Sequence, residues 1–278
     1  MSAPSRSGTT HLTVETLLQG KGWKDGWAMW KNIAGNFKTV TARSFGVPDG
    51  VNSGQFGVGI VIDFFGLSSK ASGFPVDFVY PKVTTLVPAN IAIVKNAPNP
   101  KAAGAFIEFL LSPGGQEVLL DPKIRRLPVN PKTYAKAPKG FPNPFEDASI
   151  GSAVKFDLQL SKSRYNVINS LFDVMITYRL DDLRAAVKAI QAAEAKQKGK
   201  SNAAASKLIS EARALVSMVP INEAKASENS FNKVFKKKRK KKTTKTTGRQ
   251  AEFEQAWDTQ IKANYAKAKS LAEKAASM

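Results

Sequence analysis

The residues best equipped for chemistry at the start of the chain are Arg6, Ser7, Gly8 and Thr9, set in Pro4-Ser5-Arg6-Ser7-Gly8-Thr9-Thr10-His11. Pro4 and Gly8 break regular structure, and hydroxyls gather where a helix would be capped. Val14, Leu17 and Leu18 then recur at i, i+3 and i+4, which predicts a helix to about Gln19, stopped by Gly20 and Gly22. A capping box needs Glu or Gln three residues after Ser7 or Thr9, where Thr10 and Leu12 stand instead. Amides left open by the chain's own carboxylates can receive an outside anion, helped by the helix dipole and by Arg6. The same pattern also describes an ordinary N-cap beside a solvated arginine.

Catalytic arrangements find little support. The single histidine, His11, would have to serve any Ser-His-Asp triad, and no G-x-S-x-G elbow is present. Gly199-Lys200-Ser201 imitates the end of a P-loop, but Glu194 stands where glycine is required. Alanine-rich helix precedes it where a strand should. No zinc or EF-hand spacing occurs, so neither metal nor cofactor is expected. Asp181 and Asp182 sit at a predicted helix start, where carboxylates favour the dipole. The chain reads as a binder and not as an enzyme.

Length and charge set the frame for these residues. At 278 residues the chain is long enough for about two domains, and its 42% apolar share is that of a globular protein. No run of eighteen apolar residues occurs. Cysteine is absent, which removes disulfides and thiolate chemistry. The net charge is +20, and ten of the basic residues crowd into 233–249 without one acid. Half the imbalance therefore belongs to one low-complexity run, expected to form a disordered basic loop between two helices. A nucleic-acid role, or adhesion to an anionic membrane surface, would rest on that run. Against specific nucleic-acid binding, Phe235 is its one aromatic neighbour and no reader motif accompanies it.

Trp23 to Phe37 reads as a second helix, with Trp27 and Trp30 in its core. Arg43-Ser44 and Pro48-Asp49-Gly50 are turn material. Gln55 to Leu67 is a near-continuous apolar run broken only by Asp63, which predicts a buried strand. Val76 to Tyr80 and Ile91 to Val94 predict two short strands. Asn99-Pro100 opens an amphipathic helix whose expected buried stripe is Ala103, Phe106, Ile107, Leu110 and Leu111. Ser112-Pro113-Gly114-Gly115 ends it, with further helical turns over Gln116 to Leu120. From Tyr165 onward the pattern is helical throughout. Its stripes are Ile168, Leu171, Phe172, Met175 and Ile176, then Leu183, Val187 and Ile190. Leu208, Leu215 and Val219 form another, and Phe253, Trp257, Ile261 and Tyr265 the last. Strands alternating with helices in the first half predict an α/β layer architecture.

Five stretches, in this order, resemble one family. They are Ser5-Arg6-Ser7-Gly8-Thr9, Gly57 to Asp63, Phe78-Val79-Tyr80-Pro81, Ile91 to Val94 followed by Asn99-Pro100, and Ala105 to Gln116. The family is that of the bacterial solute-binding proteins of ABC importers in the iron, phosphonate and sugar-phosphate group. Arg43 to Pro48 and the helical tail resemble the branch that includes phosphoglycerate transport regulatory proteins. The resemblance implies a periplasmic-binding-protein-like (type II) two-lobe α/β fold, N-terminally incomplete, with an all-helical C-terminal extension. Family members carry a signal peptide and more of a first lobe ahead of the Ser-Gly-Thr motif. The implied domains are a ligand-cradle lobe with crossing strand at 1–88, a returning part of the first lobe at 89–145, and the extension at 146–278.

By the same resemblance the site would hold a small phosphorylated or carboxylated anion, such as phosphoglycerate, in a cleft between lobes. Arg6, Ser7, Gly8, Thr9, Arg43, Ser44, Asp63 and Tyr80 are its implied residues, with Asp63 accepting from a ligand hydroxyl. Iron-binding relatives carry a tyrosine pair where Phe64-Phe65 stands here, and phenyl rings do not ligate iron(III). The implied setting is periplasmic, with a monomer delivering ligand to an inner-membrane permease or a membrane sensor. Because the basic run carries no apolar anchor, deleting Lys237 to Lys245 is expected to leave folding and small-ligand affinity unchanged. A large loss of affinity in calorimetry would refute that expectation.

Overall fold

The computed structural model describes residues 1–151, 153–235 and 246–278, so most of the expected basic loop, at 236–245, lies outside the described residues. Among the described residues twelve α-helices follow one another. The first six are α1 (Gly8–Lys21), α2 (Trp23–Ala34), α3 (Gly46–Asn52), α4 (Asp63–Ala71), α5 (Pro100–Leu111) and α6 (Pro113–Glu117). Then come α7 (Leu158–Phe172), α8 (Leu180–Gln197), α9 (Ala203–Ser217), α10 (Glu223–Ser227), α11 (Asn229–Asn232) and α12 (Arg249–Ala276). The chain divides into two units. The first is built from Met1–Val47 together with Asp157–Met278, and the second is Pro48–Phe156.

The first unit is a helical bundle with a dense core. Gly22, at φ +78°, ends α1 in a conformation that favours glycine, and α2 starts directly after it. Trp27 and Trp30 are buried as the spacing predicts, and the Trp30 indole donates to the Val14 carbonyl at 3.1 Å. The expected stripes of α7 and α8 are buried in full: Ile168, Leu171, Phe172, Met175 and Ile176, then Leu183, Val187 and Ile190. After Phe172 the backbone widens into a π-turn at Asp173–Thr177, whose Met175 carbonyl accepts from Tyr265 Oη of α12 at 2.8 Å. On α9 the buried positions are Ala205, Ala212 and Val216, not the expected leucines. Helix α12 buries small residues likewise, Ala268, Ala272 and Ala275, side chains that suit close helix approach.

Two polar features lie inside this core. Arg164 of α7 and Glu15 of α1 are both fully buried and joined by an ion pair at 2.7 Å, with Arg164 Nε adding a bond at 3.0 Å. Arg164 also reaches Glu223 of α10. Lys31 of α2 is buried as well. It donates to the Met218 carbonyl, and its Nζ lies 5.8 Å from the Tyr265 ring centroid.

The α/β two-lobe fold expected from the sequence is not the fold of this chain. Among the described residues no sheet forms, and the one β contact is an isolated parallel bridge between Ser2 and Thr41. Only the end of the apolar run Gln55 to Leu67 is regular, and it is helix α4, with Asp63 in its first turn where a carboxylate suits the dipole. Val76 to Tyr80 does alternate, with Val76, Phe78 and Tyr80 turned inward and Asp77 and Val79 exposed. It finds no ladder partner. Phe78 instead packs against Gly66 of α4, where an added Cβ would lie 2.3 Å from the ring. Ile91, Ile93 and Val94 are exposed and unpaired. The expected stripe of α5 is not buried either, for Phe106 is 55% and Leu111 57% exposed. Apolar periodicity specifies a strand only where another strand completes its hydrogen bonds, and here none does.

Burial lowers the Lys31 pKa from 10.5 to about 7. Between those values the unfolded chain binds a proton that the folded chain does not, so stability should rise with pH across that window. Below about pH 7 both states are protonated and the dependence ends. Lys31→Met should raise stability at neutral pH and flatten the rise, as read from urea unfolding at several pH values. An unchanged slope would show that another group controls it.

Candidate functional site

At the start of α1 the Ser7 hydroxyl accepts from the Thr10 amide at 3.2 Å, so the chain caps this helix itself. Thr10 Oγ1 in turn bonds the buried Ser2 hydroxyl at 2.5 Å. Gly8 has nothing within 4 Å of the position a Cβ would take, so its backbone faces open space. The Thr9 carbonyl accepts from Thr13 Oγ1 at 3.0 Å. Arg6 closes the short 3-10 turn before the helix.

Residues 1–3 run beside Thr41, with Ala3 N donating to the Thr41 carbonyl at 3.1 Å and Thr41 N to the Met1 carbonyl at 3.0 Å. Arg43 and Ser44 follow in a turn, where their carbonyls accept from the Gly46 and Val47 amides. This pairing ties the Arg43 segment to the one that leads into Arg6. His11, one turn further on, is enclosed. Its ring nitrogens bond Asn169 Oδ1 at 2.9 Å and Ser161 Oγ at 3.3 Å, and burial pushes its pKa below the ordinary imidazole value. A neutral, boxed-in imidazole of this kind binds α1 to α7.

The second unit carries the other expected residues, Asp63 and Tyr80, and brings them together. Tyr80 Oη donates to Asp63 Oδ2 at 3.0 Å, while Asp63 Oδ1 accepts from the Phe64 amide at 2.8 Å. The phenol pKa of Tyr80 is raised, first by burial and then by the Asp63 charge. Tyr134 is pushed up to about 12 by the same two causes. It sits in a 3-10 turn at Pro131–Lys136, and its hydroxyl donates to the Pro128 carbonyl at 3.0 Å. Asp63 thus accepts from the Tyr80 phenol and the Phe64 amide, and its charge also reaches Tyr134, so the three side chains form one electrostatic cluster. Tyr134 also lines a concavity of about 300 Å³ with Phe141, Asn143 and Glu146. Asp63 and Tyr80 do not line it.

Sequence reasoning missed Tyr134, since 128–144 reads only as proline-rich connection. The spacing of Tyr134, Phe141 and Phe145 was the available signal, and these rings pack with centroids 5.7 to 6.0 Å from Tyr134. It missed Gln116 too. That buried amide donates to the Leu110 carbonyl and accepts from the Val129 and Asn130 amides, fixing the loop that carries Tyr134. Among the described residues no group of three or more His, Cys, Asp or Glu side chains gathers as a metal site would require.

Because Asp63 contributes to both phenol shifts, Asp63→Asn should lower the titration midpoints of Tyr80 and Tyr134 together and leave Tyr265 where it is. NMR of ring-labelled tyrosine would read all three. Unmoved midpoints in the variant would dissolve the cluster.

Comparison with known proteins joins these observations. Phosphoglycerate transport regulatory proteins of Salmonella typhimurium and Salmonella typhi are each 34% identical to the chain over 231 residues, covering 83% of this chain and 55% of theirs. The chain thus spans about half the length of the curated relatives it matches. No solved structure matches it. The family profile described as bacterial extracellular solute-binding protein matches residues 1–148, which takes in Arg6 to Thr9, Arg43, Ser44, Asp63, Tyr80 and Tyr134. The chain belongs to the bacterial extracellular solute-binding protein family.

Proposed function

We propose that this chain is the ligand-binding part of a solute-uptake or ligand-sensing system outside the cytoplasmic membrane, and that its ligand is a small phosphorylated, phosphoglycerate-like anion. The observation that carries the ligand class is the 34% identity, over 83% of the chain, to regulators of phosphoglycerate transport. The partner would be a membrane sensor or a permease of the inner membrane, and the work is binding, not catalysis.

Two groups of residues support the reading, each within its own unit. Asp63 with Tyr80 offers an acceptor for a ligand hydroxyl, which separates a phosphate ester from bare phosphate. Ser7 caps the helix start through the Thr10 amide, Gly8 beside it and Thr9 leave the first turn accessible, and Arg6 and Arg43 are guanidinium donors suited to two anionic oxygens at once. A helix start contributes about 0.3–1 kcal/mol to an anion, while a hydrogen bond to a charged group is worth about 1.5–3 kcal/mol. The arginines should therefore dominate affinity and the helix start should set position.

Calorimetry with phosphoglycerate tests this. Arg43→Ala should weaken binding far more than Thr9→Ala, and Asp63→Asn should narrow the preference for phosphoglycerate over inorganic phosphate. Tight binding of iron(III) with indifference to phosphoglycerate would overturn the reading.

A further inference from the structure

We infer that Arg126 is an anion-binding side chain of the site that holds Asp63, taking the phosphate or carboxylate of a small hydroxylated anion whose hydroxyl donates to Asp63. The inference rests on the reading of this chain as a binder of small anionic solutes, and it names a contact that the sequence pattern does not single out.

The first support is the placement of the guanidinium. Arg126 Cζ lies 3.8 Å from the centroid of the Phe64 ring, and Phe64 is the residue after Asp63 in the first turn of α4. A guanidinium laid on a ring is held in orientation while its N–H edge stays open to oxygen ligands. Arg126 itself is exposed, and among the described residues no carboxylate lies within ion-pair distance of it. Asp63 accepts one bond at each oxygen, from the Phe64 amide and from Tyr80, and keeps a lone pair on each for a ligand hydroxyl. A cation and an anion are thus displayed in one neighbourhood without neutralising each other. That pairing fits a ligand with both anionic oxygens and a hydroxyl.

The second support is the backbone that delivers Arg126. Arg125 has φ +47°, in the left-handed region where a branched or long side chain is strained. The turn is held by the Asp121 carbonyl, which accepts from the Ile124 and Arg125 amides at 2.9 Å, and by Arg126 N donating to the Leu119 carbonyl at 3.1 Å. Glycine would adopt this turn without strain, yet two arginines occupy it. The strained residue lies over Phe141 instead, with its Cζ 5.5 Å from that ring and its Nε buried without a hydrogen-bond partner. The turn therefore separates the two guanidinium groups and sends one of them to Phe64.

Titration calorimetry of the full chain, with phosphoglycerate and then inorganic phosphate as probes, decides the matter. R126M should weaken phosphoglycerate binding about tenfold or more, since a charge-assisted contact is lost. R126K should recover part of that loss, keeping charge without the planar fork. F64L should weaken binding by a few fold in the wild-type background and change nothing further in R126M, because the ring acts through the arginine. Equal thermal melting of the variants shows that binding and not folding is measured. If the wild-type chain binds phosphoglycerate and R126M binds it equally well, this inference falls while the proposed function stands. An F64L effect that persists in R126M overturns it as well. A wild-type chain that binds neither probe overturns the proposed function, and this inference with it.

Discussion

The ion pair between Glu15 and Arg164 is the constraint on which the first unit depends. Neither side chain touches water, so each charge relies wholly on the other and on its hydrogen bonds. Taking two charges out of water costs several kcal/mol apiece, and removing one partner from such a pair typically costs about 3–5 kcal/mol. The geometry answers that cost: Arg164 meets Glu15 through Nε and Nη2, reaches Glu223 through Nη1, and lies 5.4 Å from the Trp23 ring. Gln19 adds a bond to the Glu15 carboxylate at 2.8 Å. Helices α1, α2, α7 and α10 thereby converge on one guanidinium. An apolar contact could slide by a residue at small cost, but this network admits a single register.

The second unit is organised differently. Its extended segments carry the β-branched residues of strands but no strand hydrogen bonds, and its most apolar helix, α5, buries no residue. Order there comes from local devices. Gly66 admits Phe78, the Gln116 side chain ties α5 to the loop at 129–130, and Asn99 and Ser112 cap α5 and α6 through the Ala102 and Gly115 amides. The Asp63 cluster sits on this scaffold, between a helix start, an extended segment and a proline-flanked turn.

How much of this was legible in the residues follows from what each signal measures. Helical stripes in the second half were readable because a 3.6-residue apolar period is satisfied by any neighbouring apolar face, and Leu183, Val187 and Ile190 found one. On α9 the same reasoning failed, because it ranks leucine above alanine, whereas the positions buried there are Ala205, Ala212 and Val216. Strand reasoning failed at Ile91 to Val94 because β pairing is a property of two segments, and one segment does not reveal whether its partner exists. Of the implied site, Asp63 and Tyr80 were named only through family resemblance, and the bond between them was not foreseen. Tyr134 and Gln116 escaped: the aromatic spacing of Tyr134, Phe141 and Phe145 was there to read, but spacing alone does not say which long-range packing it serves. The hydroxyl pattern left two readings of the first helix start open, an ordinary N-cap and an anion-accepting one, and Ser7 does serve as its cap.

The split construction of the first unit has a consequence for how the chain is born. Translation delivers Met1–Val47 before all of Pro48–Phe156, and the remainder of the bundle only after both. At about 5–20 residues per second, the ribosome takes on the order of ten seconds to cross that interval. Throughout it Glu15, Val14, Leu18 and the three tryptophans of α2 have emerged without the helices that will cover them. Nascent residues in that condition are what ribosome-associated chaperones bind. Codon usage across 48–156 therefore sets how long the opening helices remain unsheltered before Arg164 arrives.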